Sequence, residues 1–479
     1  MKMGRVILVL GTTSGAGKST LVAAICRYMA RRGVRVAPFK AQNMSLNACA
    51  VEGGEMAWAQ VIQAWAAGVE PRVQMNPVLL KPLGSARSEL ILLGRGAGVV
   101  ESTTFDDYRA QARLVAYEAL RGLLEEYDLV VAEGAGSPAE VNLKEMDFVN
   151  TGLMREFQAP SILVADIDRG GVFASILGTL ELFTPQERKL LAGFIVNKFR
   201  GSLDILKPGL DFLKERTGKP VLAVFPYLDK ALPPEDSLDI QDGGGGKLKV
   251  AVVRYPHISN FSDLTPLALE PQVTLVYTQD PLEVAAAHLV ILPGSRATLA
   301  DLRWMKDRGL DLAVKLARRR GAWVLGLCGG YQMLGDELED PVGTDGGGRE
   351  EGLGLLPLST LMTGEKRVRP VRVRRAVDWS WMPERVDGYE IHAGKTRGGA
   401  PLFYLEEGGE DGAWGERVLG TYIHDLLAQD SFRRAFLNLL EAESRVDYRV
   451  YLREALDALA DMVEAHPFLV EWLESMTGK

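Results

Sequence analysis

The 479-residue chain carries 55 Lys and Arg against 63 Asp and Glu, a net charge of −8, and its three cysteines are widely spaced. The acidic balance excludes a protein that binds nucleic acid nonspecifically through surplus positive charge, and three separated cysteines exclude a small disulfide-stapled scaffold. No apolar run reaches the roughly 18 residues of a membrane span, and Val6–Leu10 is too short for a signal-peptide core, so we expect a cytoplasmic protein that binds no membrane.

The first half of the chain alternates short, continuous runs of Val, Ile, Leu and Ala with helical stretches. Continuous apolar runs are typical of parallel strands that are buried on both faces, and the alternation predicts a doubly wound parallel sheet. The predicted strands are Arg5–Gly11, Val34–Lys40, Asp128–Glu133, Ser161–Asp166, Gly193–Lys198 and Val221–Phe225. The clearest helices are predicted over Lys18–Arg32 and Tyr108–Glu126.

The segment Gly11–Thr20 (GTTSGAGKST) joins the first predicted strand to the first helix and has the composition of a phosphate-binding loop. Small residues such as Gly15 and Gly17 allow backbone N–H groups to surround phosphates at a helix N-terminus. Lys18 is predicted to reach the β- and γ-phosphates of ATP, Ser19 to ligate Mg²⁺, and Thr20 to belong to the same cofactor-binding set. The alternative is a glycine turn followed by a chance Gly-Lys-Ser.

Polar side chains also end later strands, at the edge where ligands of open α/β sheets bind. Glu133 is a predicted Mg²⁺ ligand beside the loop. Glu55 is a second candidate ligand, and its alternative role is to stabilise the start of a helix. Asn197 is predicted to contact the adenine edge of ATP, and the alternative is a turn residue.

A glycine-rich stretch near residue 240 predicts the boundary between two domains. We expect a domain with the phosphate loop over 1–240 and a glycine-rich linker over 241–246, whose four successive glycines can hardly hold regular structure. We further expect a second domain over 247–445 and an amphipathic helical tail over 446–479 that packs on the protein. In the second domain, the predicted strands are Leu248–Tyr255, Val273–Thr278, Leu289–Pro293 and Trp323–Cys328, with helices over Leu299–Arg308 and Leu310–Arg320. A β-rich stretch follows, and its basic cluster around Lys366–Arg375 is interpreted as a solvated surface.

Cys328 lies in the sequence GLCGGYQ, between a predicted buried strand and a helix. The flanking glycines permit a strained elbow that exposes a nucleophile, and the helix N-terminus favours the thiolate. His424, at the end of an apolar run, is the predicted catalytic base, and His392 is its rival. Backbone N–H groups of Leu292–Arg296 are candidates for an oxyanion hole.

The order of these motifs resembles the glutamine-dependent cobyric acid synthases of cobalamin biosynthesis over nearly the whole chain. The matching segments also include Pro38–Asn47 (PFKAQNMSLN), Met75–Pro82, Ala165–Ala174, Val196–Gly201 and Gly388–His392. The first half is similar to dethiobiotin synthetase, which shares the five-residue spacing between Gly11 and Gly17. The second half is similar to triad-class glutamine amidotransferases. Leu426 stands where ordinary triad glutaminases carry glutamate, which is typical of the cobyric and cobyrinic acid branch and leaves open which group orients His424.

The resemblance implies that ATP and glutamine drive amidation of the b, d, e and g carboxylates of adenosylcobyrinic acid a,c-diamide. It further implies acyl-phosphate activation and ammonia released from glutamine, whereas the residues alone predict only ATP-dependent amide formation. The implied partners are therefore a corrinoid and glutamine. One alternative is cobyrinic acid a,c-diamide synthase, against which the segment Lys40–Asn47 argues. Another is a phosphate-loop ATPase switch with an inactive amidase module, against which Cys328 and His424 argue.

Overall fold

The buried apolar runs of the first half form the central strands of an α/β domain. The computed structural model describes residues 3–84, 87–101, 105–228, 232–235 and 242–477. The strands of this domain are β1 (Arg5–Gly11), β2 (Val36–Phe39), β3 (Gln42–Met44), β4 (Ala48–Val51), β5 (Gly54–Ala57), β6 (Val78–Gly84), β7 (Arg87–Leu92), β8 (Arg95–Glu101), β9 (Leu129–Glu133), β10 (Ser161–Asp166), β11 (Leu191–Phe199) and β12 (Val221–Pro226). Its helices are α1 (Lys18–Arg31), α2 (Trp58–Ala67), α3 (Phe105–Glu126), α4 (Thr151–Glu156), α5 (Val172–Glu181), α6 (Pro185–Leu190) and α7 (Leu203–Thr217).

Six of these strands form one parallel sheet in the order β12-β11-β10-β1-β9-β2. The strand order reverses at β1, so right-handed crossovers place helices on both faces of the sheet. This arrangement confirms the predicted doubly wound sheet. It also puts the loop after β1 at the switch point, where ligands bind in such sheets.

Residues 42–101 contain a second group of strands that the sequence analysis did not predict. Strands β3, β6, β7 and β8 form a four-stranded sheet, and β4 and β5 pair as a hairpin. Most side chains of β8 are exposed, so this strand lacks the continuous apolar run that marks a buried parallel strand.

The second half of the chain forms another α/β domain. Its strands are β13 (Gly243–Gly244), β14 (Leu248–Val253), β15 (Ile258–Ser259), β16 (Val273–Thr278), β17 (Leu289–Leu292), β18 (Gly294–Ser295), β19 (Trp323–Leu327), β20 (Glu337–Asp340), β21 (Gly348–Glu351), β22 (Leu358–Arg375), β23 (Arg385–Gly398), β24 (Phe403–Leu405), β25 (Glu410–Asp411), β26 (Ala413–Gly415), β27 (Val418–Thr421) and β28 (Ile423–His424). The helices are α8 (Thr265–Ala268), α9 (Pro281–Ala285), α10 (Thr298–Asp307), α11 (Leu310–Arg319), α12 (Gly329–Met333), α13 (Asp430–Leu439), α14 (Tyr448–Glu464) and α15 (Pro467–Ser475).

Two sheets organise this second domain. The first has the order β13-β16-β14-β17-β19-β27-β26 and is parallel except at its two edges. The second is built on the long antiparallel hairpin β22-β23, which β28 joins at its edge. The hairpin β4-β5 of the first domain packs against β22 and β23, so the two domains contact each other there.

The four-glycine stretch contains a short strand, although its composition predicts a linker that can hardly hold regular structure. Gly243 and Gly244 form the edge strand β13, antiparallel to β16, and the backbone N–H of Gly246 donates to the carbonyl of Val273 at 3.3 Å. The predicted domain end at 240 and the start of the predicted linker fall within residues 236–241, which lie outside the described residues.

Helices α14 and α15 follow the second domain, and α14 packs on the first domain. Buried side chains of α14 join the hydrophobic core that contains α1. Arg27 of α1 also pairs with Asp457 of α14 at 2.8 Å. The described helices are each too short or too polar to cross a membrane.

Candidate active sites

The phosphate loop lies between β1 and α1 and has the geometry that its glycines predict. Gly15 and Gly17 have φ of 70° and 97°, in the left-handed region that favours glycine. The Lys18 ammonium is buried and donates to the carbonyls of Thr13 at 3.0 Å and Gly136 at 2.9 Å. Burial lowers the pKa of Lys18 to about 8, and the Glu133 carboxylate opposes part of that shift.

Ser19 and Glu133 lie together at the carboxyl ends of the central strands. The Ser19 hydroxyl donates to Oε1 of Glu133 at 2.8 Å, and Gln63 of α2 donates to Oε2 at 2.6 Å. Lys40, which follows β2, pairs with Glu133 at 2.7 Å. A hydroxyl beside a fully buried carboxylate is the donor set that Mg²⁺ prefers, so both predicted ligands fit that ion. Thr20 follows Ser19 in the sequence and is half-buried in the first turn of α1.

Glu55 is not brought to Ser19 and Glu133. It lies on β5, 1% exposed, and its carboxylate pairs with Lys81 of β6 and with Lys366 of β22. Both carboxylate oxygens are therefore occupied by ammonium groups. The metal-ligand role predicted for Glu55 gains no support from this geometry.

Asn197, on β11, lies against the phosphate loop. Its side-chain amide donates to the carbonyl of Ala16 at 2.9 Å, and the neighbouring Lys198 donates to the carbonyl of Gly15 at 2.8 Å. Asn197 therefore stabilises the backbone of the phosphate loop in this structure. The predicted contact with adenine stays a prediction.

Cys328 lies at the sharp turn between β19 and α12. Its φ of 52° and ψ of −108° are a strained combination for a residue with a side chain, as the elbow prediction requires. The thiol is 3.4 Å from the carbonyl of Ile391, and the backbone N–H of Cys328 donates to Thr421 at 2.9 Å. The elbow therefore lies against β23, which carries His392, and against the end of β27, three residues before His424.

His424 forms a charge-assisted hydrogen bond that the sequence analysis did not predict. Its Nδ1 is 2.6 Å from Oδ2 of Asp263, in the 3-10 turn Phe261–Leu264, and both residues are buried. Burial disfavours the imidazolium, but the Asp263 carboxylate and the nearby Cys328 outweigh it and raise the pKa of His424 to about 10. Nε2 has no hydrogen-bond partner among the described residues and is the nitrogen left to serve Cys328.

The rival histidine, His392, has different surroundings. Its Nδ1 is 2.9 Å from the carbonyl of Gly394, and its ring stacks on Tyr422 with centroids 3.7 Å apart. The closest carboxylate to its Nε2 is that of Glu390, at 3.9 Å. This geometry supports His424 as the base. His392 is held by Gly394 and Tyr422, which supports a structural role for it.

The candidate oxyanion segment packs against the elbow. Gly294 and Ser295 form β18, which pairs with β15, and the backbone N–H of Gly330 donates to Pro293 at 3.1 Å. The Ser295 hydroxyl donates to Asp301 at 2.6 Å, and His257 lies 2.9 Å from the other oxygen of Asp301. These contacts hold the segment beside Cys328, where oxyanion donors are needed.

Asn47 and Ala48 of the first domain contact the groups around His424. The Ser262 hydroxyl, next to Asp263, donates to Oδ1 of Asn47 at 2.8 Å. The carbonyl of Ala48 accepts from Asn260 at 2.7 Å and from Tyr389, whose ring stacks on His424 with centroids 5.1 Å apart. The groups that surround the histidine therefore touch the first domain directly.

Comparisons with known proteins match the two halves of the chain to two different family models. Residues 7–236 match the CobQ/CobB/MinD/ParA nucleotide binding domain, and residues 249–432 match the CobB/CobQ-like glutamine amidotransferase domain. Together with the two α/β domains, these matches confirm the predicted fold class.

Three curated relatives match over nearly their full length. The chain is 43% identical to a cobyric acid synthase of Acaryochloris marina strain MBIC 11017, covering 97% of this chain and 99% of the relative. It is 44% identical to a cobyric acid synthase of Nostoc sp. strain PCC 7120, covering 98% and 99%. It is 45% identical to a probable cobyric acid synthase of Thermococcus kodakarensis strain KOD1, covering 93% of each chain.

Proposed function

Because the chain belongs to the cobyric acid synthase family of glutamine-dependent enzymes of cobalamin biosynthesis, we propose that it amidates the b, d, e and g carboxylates of adenosylcobyrinic acid a,c-diamide with ATP and glutamine. The observation that carries this proposal is the presence of two complementary sites on one chain. Cys328, His424 and Asp263 form one site, and the phosphate loop with Glu133 forms the other. We place the reaction in the cytoplasm, which the three free cysteines support.

The second domain supplies ammonia. The Cys328 thiolate attacks the carboxamide carbon of glutamine, and the C–N bond breaks as the imidazolium of His424 gives its proton to the departing ammonia. Water then attacks the thioester, with His424 as general base, and releases glutamate and the free thiol. Asp263 holds the imidazole so that Nε2 can transfer these protons.

The first domain activates the carboxylate. A substrate carboxylate oxygen attacks the γ-phosphorus of ATP, and ADP leaves as an acyl phosphate forms. Ammonia attacks the acyl carbon and phosphate departs, which leaves the amide. Lys18 stabilises the negative charge that develops on the transferred phosphoryl group. A bound Mg²⁺ would neutralise the β- and γ-phosphates, and Ser19 and Glu133 are residues that would hold it.

Mass spectrometry of the corrinoid products tests this proposal in two variants. With ATP, Mg²⁺ and glutamine, the native chain is expected to convert the a,c-diamide into products with up to four further amides. Cys328→Ser is expected to lose this reaction with glutamine and to keep it with a high concentration of ammonium. Lys18→Ala is expected to lose it with either nitrogen source.

Other outcomes would contradict the proposal. Product formation only from cobyrinic acid, at its a and c positions, would identify a cobyrinic acid a,c-diamide synthase. Loss of the ammonium-dependent reaction in folded Cys328→Ser would refute the division into two sites. Near-native amidation by Lys18→Ala would refute the role of the phosphate loop.

A further inference from the structure

The carboxylate of Glu235 enters the phosphate-loop site from the segment that joins the two domains. It accepts hydrogen bonds from Lys40 at 2.8 Å and from the Asn43 amide at 3.3 Å. The Ser19 hydroxyl also contacts it. Glu235 could not be identified as a site residue from the sequence. Residues 232–235 lie between the last strand of the domain and the glycine-rich stretch, outside every predicted strand, helix and motif.

The backbone of this segment is fixed next to the site. The carbonyl of Glu235 accepts from Ser45 at 3.2 Å, and the carbonyl of Pro234 accepts from the Asn47 amide at 3.1 Å. Ser45 and Asn47 are both buried. Two side chains of the first domain therefore hold the segment where its carboxylate can reach Ser19.

Glu133 and Glu235 converge on the same two groups. Lys40 lies 2.7 Å from Glu133 and 2.8 Å from Glu235, so its ammonium bridges the carboxylates as a cation would. Both carboxylates also contact the Ser19 hydroxyl. Two carboxylates and a hydroxyl around one point form a donor set for a hard divalent cation. Phosphate oxygens and water would complete the coordination of that cation.

We propose that Glu235 is a second carboxylate ligand of the Mg²⁺ that accompanies ATP, provided by the segment between the domains. The inference rests on the proposed function, since that function requires Mg²⁺ and ATP at this loop. The alternative is an inhibitory role, called a plug below: the Glu235 carboxylate occupies the position of the ATP phosphates and must leave before ATP binds.

Binding of Mn²⁺ tests the inference without measuring turnover. Electron paramagnetic resonance would follow Mn²⁺ titrated into the full chain with a non-hydrolysable ATP analogue. Glu235→Gln is expected to weaken Mn²⁺ binding by about 10-fold or more, and the same is expected of Glu133→Gln. Binding of the analogue in EDTA is expected to be unchanged or tighter, because a negative charge has been removed. Glu181→Gln, at a side chain 82% exposed on the same domain, is the matched control and is expected to leave both affinities unchanged.

Each result has one reading. Native Mn²⁺ affinity in Glu235→Gln, with weakened binding in Glu133→Gln, would overturn the inference and leave the proposed function intact. Tighter binding of Mn²⁺ with the analogue would identify a plug and also overturn it. No binding by the native chain would count against the proposed function itself. Glutamine hydrolysis at Cys328, assayed on the same preparations, verifies that each variant is folded.

Discussion

Asp263 determines which nitrogen of His424 faces Cys328. Its Oδ2 is 2.6 Å from Nδ1 of the imidazole, and its Oδ1 accepts the backbone N–H of Asp425 at 3.0 Å. The carboxylate is thus held at both oxygens and cannot turn away from the ring. This arrangement keeps the proton on Nδ1 in the neutral imidazole and leaves Nε2 to exchange protons with the thiol and the leaving ammonia.

Substituting Asp263 tests this positioning role. Asp263→Asn is expected to lower kcat for glutamine hydrolysis by roughly 10³- to 10⁴-fold, because an amide can stabilise the wrong tautomer of the base. Amidation with ammonium is expected to persist. Asp425→Asn is the comparison variant, since the Asp425 carboxylate acts on Asp263 and His424 through charge alone, and its hydrogen bond to Asp263 comes from the backbone N–H. Equal losses in the two variants would show that the effect is general disruption of the site.

The pH dependence of hydrolysis provides a second measure of the same contact. The folded pKa of His424 is raised from 6.5 to about 10, so the imidazolium contributes stability that is complete below pH 6.5 and is lost as pH rises through 10. Asp263→Asn removes the main cause of that rise. The alkaline limb of the residual glutaminase rate is therefore expected at lower pH than in the native chain, and an unmoved limb would contradict the assignment.

The strands show which elements can be predicted from a sequence and which cannot. The first domain's parallel strands, such as β1 and β10, were predicted to within two residues because burial on both faces demands a continuous apolar run. The contact between Asp263 and His424 was not predictable, since the two residues are 161 positions apart and meet only after the second domain has folded. Strand β13 was missed because it consists of glycine, which forms a strand through its main chain alone.

Adjacent glycines in and after β13 allow a matched pair of substitutions. Gly244 has φ of 75°, and a Cβ there would collide with the carbonyl oxygen of Val273, whereas a Cβ at Gly245 meets nothing within 4 Å. Gly244→Ala is expected to lower the free energy of unfolding by about 2 kcal/mol or more, and Gly245→Ala by less than about 0.5 kcal/mol.

Denaturant unfolding of both glycine variants, together with amide exchange along β16, would measure this difference. Faster exchange in β16 is expected only for Gly244→Ala, because β13 protects the edge of β16. Equal behaviour of the two variants would mean that β13 adds no stability and that the glycine-rich stretch acts only as a linker.

At the scale of the whole molecule, a cluster of buried charges joins the domains. Glu55 of the first domain pairs with Lys81 of the same domain and with Lys366 of the second domain, and Glu89 pairs with Arg296 at 3.0 Å. The interpretation of the basic cluster as a solvated surface is therefore wrong for Lys366. Arg296 is the last residue of the candidate oxyanion segment, so this cluster also anchors the edge of the glutaminase site to the first domain.

The cluster is expected to make the joined molecule sensitive to acid through Glu55. Burial opposes the charge on this carboxylate, but Lys81 and Lys366 outweigh burial and lower its pKa from 4.5 to about 2. Because the folded pKa is depressed, the stabilisation is present above pH 4.5 and is lost as pH falls towards 2. Glu55→Gln mimics the protonated form and is expected to cost about 3 kcal/mol of unfolding free energy at pH 7, with a difference that shrinks below pH 4.5.

Denaturant unfolding of the native chain and Glu55→Gln between pH 7 and pH 3.5 measures that difference. Glu407→Gln is the control, because Glu407 pairs with Arg369 at 2.7 Å but is 73% exposed, and an exposed pair contributes at most about 1 kcal/mol. A Glu55→Gln difference that stays constant down to pH 3.5 would contradict the low pKa. A difference no larger than that of Glu407→Gln at pH 7 would show that the domains do not depend on the buried cluster for their stability.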